Sequence, residues 1–186
     1  VTAPAPDAGV RAARPADVDS LGQVHARAWQ QAYSGLLPQG GDAAQPQALA
    51  QAWDTAVQHP PTPQHRVLVA TAGPDVVGFA AVAPGGDADA VEGEDAELVV
   101  LLVDPDRQRL GHGSRLLNAS ADTLRDRGFQ RLRAWVPETD DARSAFLTGA
   151  GFVADGAARV LDAGEGAAPV RERRWSAALT LAGTAG

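Results

Sequence analysis

The chain has 186 residues, enough for one domain with short tails and for a core that needs no covalent staple. It has no cysteine, and every one of its 16 basic residues is arginine, which excludes disulfide frameworks, thiolate metal centres, cysteine nucleophiles, a Walker-A lysine and a Schiff-base lysine. A net charge of -7 argues against a nucleic-acid partner, and no apolar run reaches the ~18 residues of a membrane span, so a cytoplasmic enzyme or binding domain is expected.

Residues 1–9 are rich in Ala and Pro and lack the order of a signal peptide; they are expected as a disordered tail, and residues 180–186 as a frayed one. A single domain is expected over residues 10–179. Val10 to Ala13 predicts a short strand. Pro15 suits a first helical turn. Val18, Leu21, Val24, Ala28 and Ala32 then recur at helical spacing up to Tyr33-Ser34-Gly35. A second helix is predicted from Gln47 to Gln58, stopped by His59-Pro60-Pro61-Thr62-Pro63. Arg66 to Thr71 and Val76 to Ala83 flank a Gly73-Pro74-Asp75 turn and read as a hairpin. Ala96 to Val103 is almost continuously apolar, the pattern of a strand buried on both faces. Ser114 to Arg127 is helical and Gly128 suits its C-cap. Gln130 to Val136 predicts a strand, and Asp140 to Thr148 a short helix with an acidic start. Ala157 to Leu161 and Val170 to Leu179 predict two late strands about a Gly164-Glu165-Gly166 turn. Strands in mixed arrangement with helices between them give an α/β (α+β) class around one sheet.

The stretch after the apolar strand carries the chemistry. Asp104-Pro105 ends the strand, and Gln108-Arg109-Leu110-Gly111-His112-Gly113 leads into the helix at Ser114. Glycines let backbone N–H groups approach a ligand, and a helix start adds unpaired N–H groups and the positive end of its dipole. Together they form an anion cradle, with Arg107, Arg109 and Arg115 beside it. The bland alternative is a tight turn that needs glycines. A dinucleotide fingerprint would place a glycine at position 116, where Leu116 stands.

Gln108-x-x-Gly111-x-Gly113 after a Val-Asp-Pro strand end resembles the acyl-CoA signature of the GCN5-related N-acetyltransferases, the GNAT family. Val10-Arg11 with Pro15-Ala16-Asp17, Ala28-Trp29 through Pro38, Val77 to Ala81 and Asp140 to Phe152 are similar to other segments of that family. The resemblance implies a mixed, mostly antiparallel central sheet flanked by helices, with splayed fourth and fifth strands. It implies acetyl-CoA as acyl donor and no metal. Leu101, Leu102 and Val103 would offer backbone groups to the pantetheine arm, with an N–H near Leu102 polarising the thioester carbonyl. Gln108, Arg109, Leu110, Gly111, His112, Gly113 and Ser114 would wrap the pyrophosphate. Asp140 and Phe146, in the later motif, would lie on the cofactor side. An amine would attack directly, without an acyl-enzyme. Homodimerisation is common in the resembled family. Two departures stand out: Asp140 replaces an Asn, and Leu147 replaces the usual Tyr that protonates the leaving thiolate. The second keeps open a rival expectation, an acyl-CoA-binding regulatory or inactive module.

Glu97 opens the fourth strand and is the candidate base for the acceptor amine, against the alternative of a solvated strand-start acid. Tyr33, the single tyrosine, is a candidate acid or acceptor contact. Asp87, Asp89, Glu92, Glu94 and Asp95 precede Glu97 and read either as a solvated loop or as a rim attracting a basic acceptor. His25, His59, His65 and His112 show no metal-ligand spacing.

Overall fold

The computed structural model describes residues 8–33, 45–161 and 169–179, with the side chains of residues 32 and 33 outside that description. The elements are β1 (Ala8–Ala12), α1 (Val18–Tyr33), α2 (Pro46–Gln58), β2 (Arg66–Ala72), β3 (Asp75–Pro84), β4 (Asp95–Val103), α3 (His112–Arg125), β5 (Arg131–Pro137), α4 (Asp141–Gly149), β6 (Val153–Leu161) and β7 (Val170–Ala178), with short 3₁₀ turns at Pro15–Asp17 and Pro105–Arg107. The strands form one seven-stranded sheet in the order β1-β2-β3-β4-β5-β7-β6. Pairs β1–β2, β2–β3, β5–β7 and β6–β7 are antiparallel, and β4–β5 is parallel. This is the mixed, mostly antiparallel sheet that the resemblance implies. The chain packs as two compact units.

The first unit holds the described residues up to Val82 together with Val100–Ser120. Alternate residues of its hairpin, Val67 and Val69 on β2 and Phe79 and Ala81 on β3, point to one face. Leu21 and Val24 of α1 complete a buried cluster there, and Trp53, Ala56 and Val57 of α2 pack against it. The helices lie close at Gly22, where a Cβ would stand 2.3 Å from the Pro46 carbonyl oxygen. Gly78 on β3 also lies close to β4, its hypothetical Cβ 2.8 Å from the Leu102 carbonyl oxygen. Arg11 grips Asp17 with both terminal nitrogens (2.7 and 2.9 Å), pinning the chain after β1 to the first 3₁₀ turn.

The second unit holds Ala83–Val99 and the described residues from Ala121 onward. Its parallel ladder is three pairs long, Asp95–Glu97 against Arg131–Arg133. Leu132, Ala134 and Val136 of β5 are buried, as are Leu124, Phe129, Leu147, Phe152 and Leu179. Arg131, Arg133 and Trp135 alternate onto the other face. Gly128 closes α3 with φ +88°, and Phe129 N–H returns to the Leu124 carbonyl (3.1 Å), as a left-handed C-cap requires.

Four expectations shift. β1 begins at Ala8 and not at Val10. α3 begins at His112 and not at Ser114, because Gly111 already turns the chain into the helix. β6 begins at Val153, and a register shift between Ala154 and Ala158 had hidden its first half from a two-residue periodicity. β4 is not buried on both faces: Val99, just past the short ladder, is 56% exposed, and Val100 to Val103 are half-buried. Ser34 to Pro38 and the Gly164-Glu165-Gly166 turn lie outside the described residues. Among the described residues no helix is long and apolar enough to cross a membrane.

Candidate active site

The exit of β4 is anchored by Asp104, a buried carboxylate. Its N–H donates to the Val77 carbonyl (2.9 Å), and its Oδ1 accepts from Asp106 N–H (3.2 Å). Its Oδ2 accepts from Arg27 Nε (3.0 Å) and Nη2 (2.5 Å) on α1. Every acceptor of this aspartate therefore holds the turn in place, while Pro105 fixes the first dihedral of the 3₁₀ turn. Gln108 then reaches the Gln31 side chain, its Nε2 donating to Oε1 (3.2 Å).

Two residues of the loop lie in the left-handed region, Arg109 at φ +62° and Gly111 at φ +80°. A Cβ on Gly111 would meet only the Arg115 guanidinium, at 3.6–3.8 Å, so backbone conformation and not space demands glycine there. The Gly111 carbonyl accepts the first helical bond, from Arg115 N–H (3.1 Å). The N–H groups of His112, Gly113 and Ser114 consequently have no acceptor one turn back in α3, and the positive dipole end lies among them. Arg115 turns back over the loop, Nη1 donating to the Leu110 carbonyl (3.3 Å) and facing His112 Nδ1 (3.3 Å). His112 is buried. Burial first, then the charges of Arg115 and Arg107, push its imidazole below the ordinary histidine range, so it stays neutral at the positive helix end. The sequence-predicted Leu101, Leu102, Val103 and Gln108 through Ser114 thus come together in the first unit as one strand–turn–helix corner.

Glu97, Asp140 and Phe146 lie in the second unit. Glu97 stands opposite Arg133 in the ladder. Burial pushes its carboxyl up, the nearby Arg159 charge opposes this, and Asp87 and Glu172 add to it. Asp140 is the N-cap of α4: Oδ1 accepts from Arg143 N–H (2.9 Å) and Oδ2 pairs with Arg143 Nε (3.3 Å). Phe146 is half-buried, and Leu147 is fully buried at 1% exposure. Tyr33 ends α1, but its side chain lies outside the described residues.

In the acidic stretch before β4, Asp89 and Glu92 are exposed, while Asp87, Asp89 and Asp95 are paired with arginines. Asp89 pairs with both terminal nitrogens of Arg174 (2.6 and 2.8 Å) and with Arg133 (3.1 Å). Asp95 pairs with Arg133 (2.9 Å) and Arg131 (3.3 Å), and Asp87 with Arg174 (3.1 Å). Three of the acids are thereby consumed in folding the loop onto the sheet. Sequence reasoning missed this network and the Arg27–Asp104 pair, whose partners are 77 residues apart. Among the described residues no group of three or more His, Asp or Glu side chains is gathered as metal ligands.

A family model described as the Acetyltransferase (GNAT) family matches residues 26–152, which include the whole strand–turn–helix corner and Glu97. The chain belongs to the GNAT family. Solved structures of this fold align over almost its full length. An N-acetyltransferase from Staphylococcus aureus Mu50 superposes with a TM-score of 0.71 at 16% identity, covering 94% of this chain and 99% of its own. The protein yncA of Salmonella typhimurium, solved with its cofactor acetyl-CoA, gives 0.68 at 20% identity over 93% and 94%. The ribosomal-protein-S18-alanine N-acetyltransferase of Escherichia coli gives 0.67 at 18% over 96% and 97%. At these identities the likeness concerns the fold. No curated protein matches the sequence.

Proposed function

We propose that this GNAT protein moves an acetyl group from acetyl-CoA to a primary amine by direct attack, with residues 10–179 as the catalytic domain. The observation that carries the reading is the left-handed Gly111 at the start of α3, which leads into three helix-start N–H groups without an acceptor one turn back in α3, in a segment that carries Arg107, Arg109 and Arg115. That backbone suits a pyrophosphate: it is cationic, free of a Cβ at the turn and fixed by Asp104. The half-exposed apolar end of β4, Leu101 to Val103, suits the pantetheine arm. In the reaction the amine nitrogen forms a bond to the thioester carbon, and a backbone N–H near Leu102 receives the developing oxyanion. The C–S bond then breaks, and CoA leaves as thiolate. Glu97, on the same strand, takes the proton that the amine must lose, directly or through water. Calorimetry with acetyl-CoA tests the corner: Gly111→Val, forced into a conformation valine rarely adopts, weakens binding at least tenfold, about 1.4 kcal/mol. Unchanged affinity would refute the assignment.

Buried Leu147 favours a second reading, an acyl-CoA-binding module without robust transfer, because no acid stands where the family usually places one. Release of CoA thiol with a panel of amines separates the two: turnover supports the enzyme, and tight binding without turnover supports the module.

A further inference from the structure

Arg159 belongs to β6, the outermost strand, yet its guanidinium does not stay there. Its Nε donates to Glu172 Oε2 (2.7 Å) on β7, and its carbon Cζ lies 4.3 Å from the centre of the Trp135 ring on β5. In register, Arg159 faces Glu172, and Trp135 faces Arg174. The side chain therefore crosses a whole strand, on the order of 10 Å in sheet spacing. The next strand past β5 is β4, where Glu97 pairs with Arg133, two residues before Trp135 on the same face. Trp135 is itself fixed, its Nε1 donating to Asp87 Oδ1 (3.3 Å). A guanidinium clamped between a carboxylate and an indole face is a placed charge and not a swinging one.

The other arginines of this face are committed elsewhere. Arg174 serves Asp87, Asp89 and Asp155, Arg133 serves Asp89 and Asp95, and Arg131 serves Asp95. The groups that act on Glu97 are Asp87 from the loop before β4, Glu172 from β7 and Arg159 from β6; of these only Arg159 favours the charged form. Burial and the two neighbouring carboxylates push the Glu97 carboxyl up, and Arg159 is the charge that opposes them.

We propose that Arg159, laid over Trp135, is a positioning residue that keeps Glu97 ionised and ready to take the acceptor's proton. This rests on the reading of Glu97 as the base. Arg159 touches no reacting atom in this scheme; it acts through the field it places at Glu97. Trp135 holds the guanidinium inward, and Glu172 sets its orientation.

The test is a titration of the Glu97 side-chain carboxyl, followed by carbon NMR, alongside the pH profile of kcat/KM. Arg159→Met keeps the stem and removes the charge. It moves the Glu97 titration upward and moves the acid limb of the profile the same way, so kcat/KM falls several-fold on the acid side and recovers at high pH. Arg159→Lys restores both toward wild type, and Trp135→Leu, which frees the guanidinium, moves both in the Met direction by less. Circular dichroism and thermal melts confirm that each variant is folded. An unmoved Glu97 titration in folded Arg159→Met overturns the proposal. A moved titration with an unmoved acid limb supports the field of Arg159 and overturns instead the reading of Glu97 as the base. Glu97→Gln checks that reading by itself: if Glu97 is the base, kcat/KM falls and the deficit shrinks as pH rises and free amine becomes plentiful, and if it is not, the profile matches wild type at every pH.

Discussion

Leu147 is a residue at which the sequence departs from the motif it resembles. It stands where the family resemblance leads one to expect a proton donor, and it is buried at 1% exposure at the end of α4, its carbonyl accepting from Ala150 and Phe152 N–H groups (both 3.0 Å). A tyrosine there would add volume and a hydroxyl with no established partner. Leu147→Tyr is therefore expected to destabilise by about 1–3 kcal/mol and to bring no gain in turnover. Leu147→Ala leaves a cavity and costs about 2–5 kcal/mol. Urea unfolding with parallel thiol-release assays checks both, and faster turnover in a stable Leu147→Tyr would mean that the hydroxyl reaches the reaction. The substitution itself is legible in the sequence, but its burial is not, because nothing in Phe146-Leu147-Thr148 tells which residue of the short helix faces inward. Gly111 is the opposite case: its spacing to Gln108 and Gly113 points to a backbone position that needs glycine, and the structure places it in a left-handed turn.

At the scale of elements, helical and two-residue periodicities locate the described helices and strands to within a few residues, apart from the first half of β6. They fail where a contact between elements decides. Gly22 reads as a weak point inside a helix, yet it is the place where α2 meets α1. Gly22→Ala would put a Cβ against the Pro46 carbonyl, and the expected result is a lower melting temperature, although alanine is the better helix former. The same pair of helices carries a pH dependence. His25 Nδ1 accepts from Trp53 Nε1 (3.1 Å), and the His25 ring lies among Trp29, Trp53 and Phe79. Burial lowers the imidazole below its ordinary 6.5, so the unfolded chain takes up a proton before the folded one does. Stability from this group is present above about 6.5 and is lost as pH falls from there toward the depressed native value. Melting temperatures from pH 7.5 to 5.5 should fall more for wild type than for His25→Phe, which cannot titrate; equal slopes would remove His25 as the cause.

Over the whole molecule the decisive compositional fact is arginine without lysine, 16 against 23 acids. Composition makes that fact visible but does not say which pairs form, because Arg174 and Asp87 are 87 residues apart and are joined only by the sheet register. A one-residue slip of β7 would send Arg174 to the other face. Here its planar head serves three carboxylates at once, Asp87, Asp89 and Asp155, and it is held well above the usual arginine range, chiefly by Asp89. A lysine is a point charge that cannot make the paired bonds to Asp89, so Arg174→Lys should destabilise although the net charge is unchanged. Asp89 gives the matching pH signature. The Arg174 hydrogen bonds lower its carboxyl from 3.8 to about 2. A depressed acid stabilises the fold above its unfolded value, and that contribution is lost as pH falls through the native one. The window is therefore about pH 4 down to about 2. Asp17, lowered chiefly by its bond to Arg11, loses its share in the same direction. Acid titration of the folded fraction should show wild type losing stability more steeply across that window than Asp89→Asn, which starts lower at neutral pH and meets wild type at the acid end. Salt should shrink the difference, since Asp89 is largely exposed and its pairing is screened. If the two curves run parallel through the whole window, Asp89 is an ordinary surface acid and the loop before β4 is held by Asp87 and Asp95 alone.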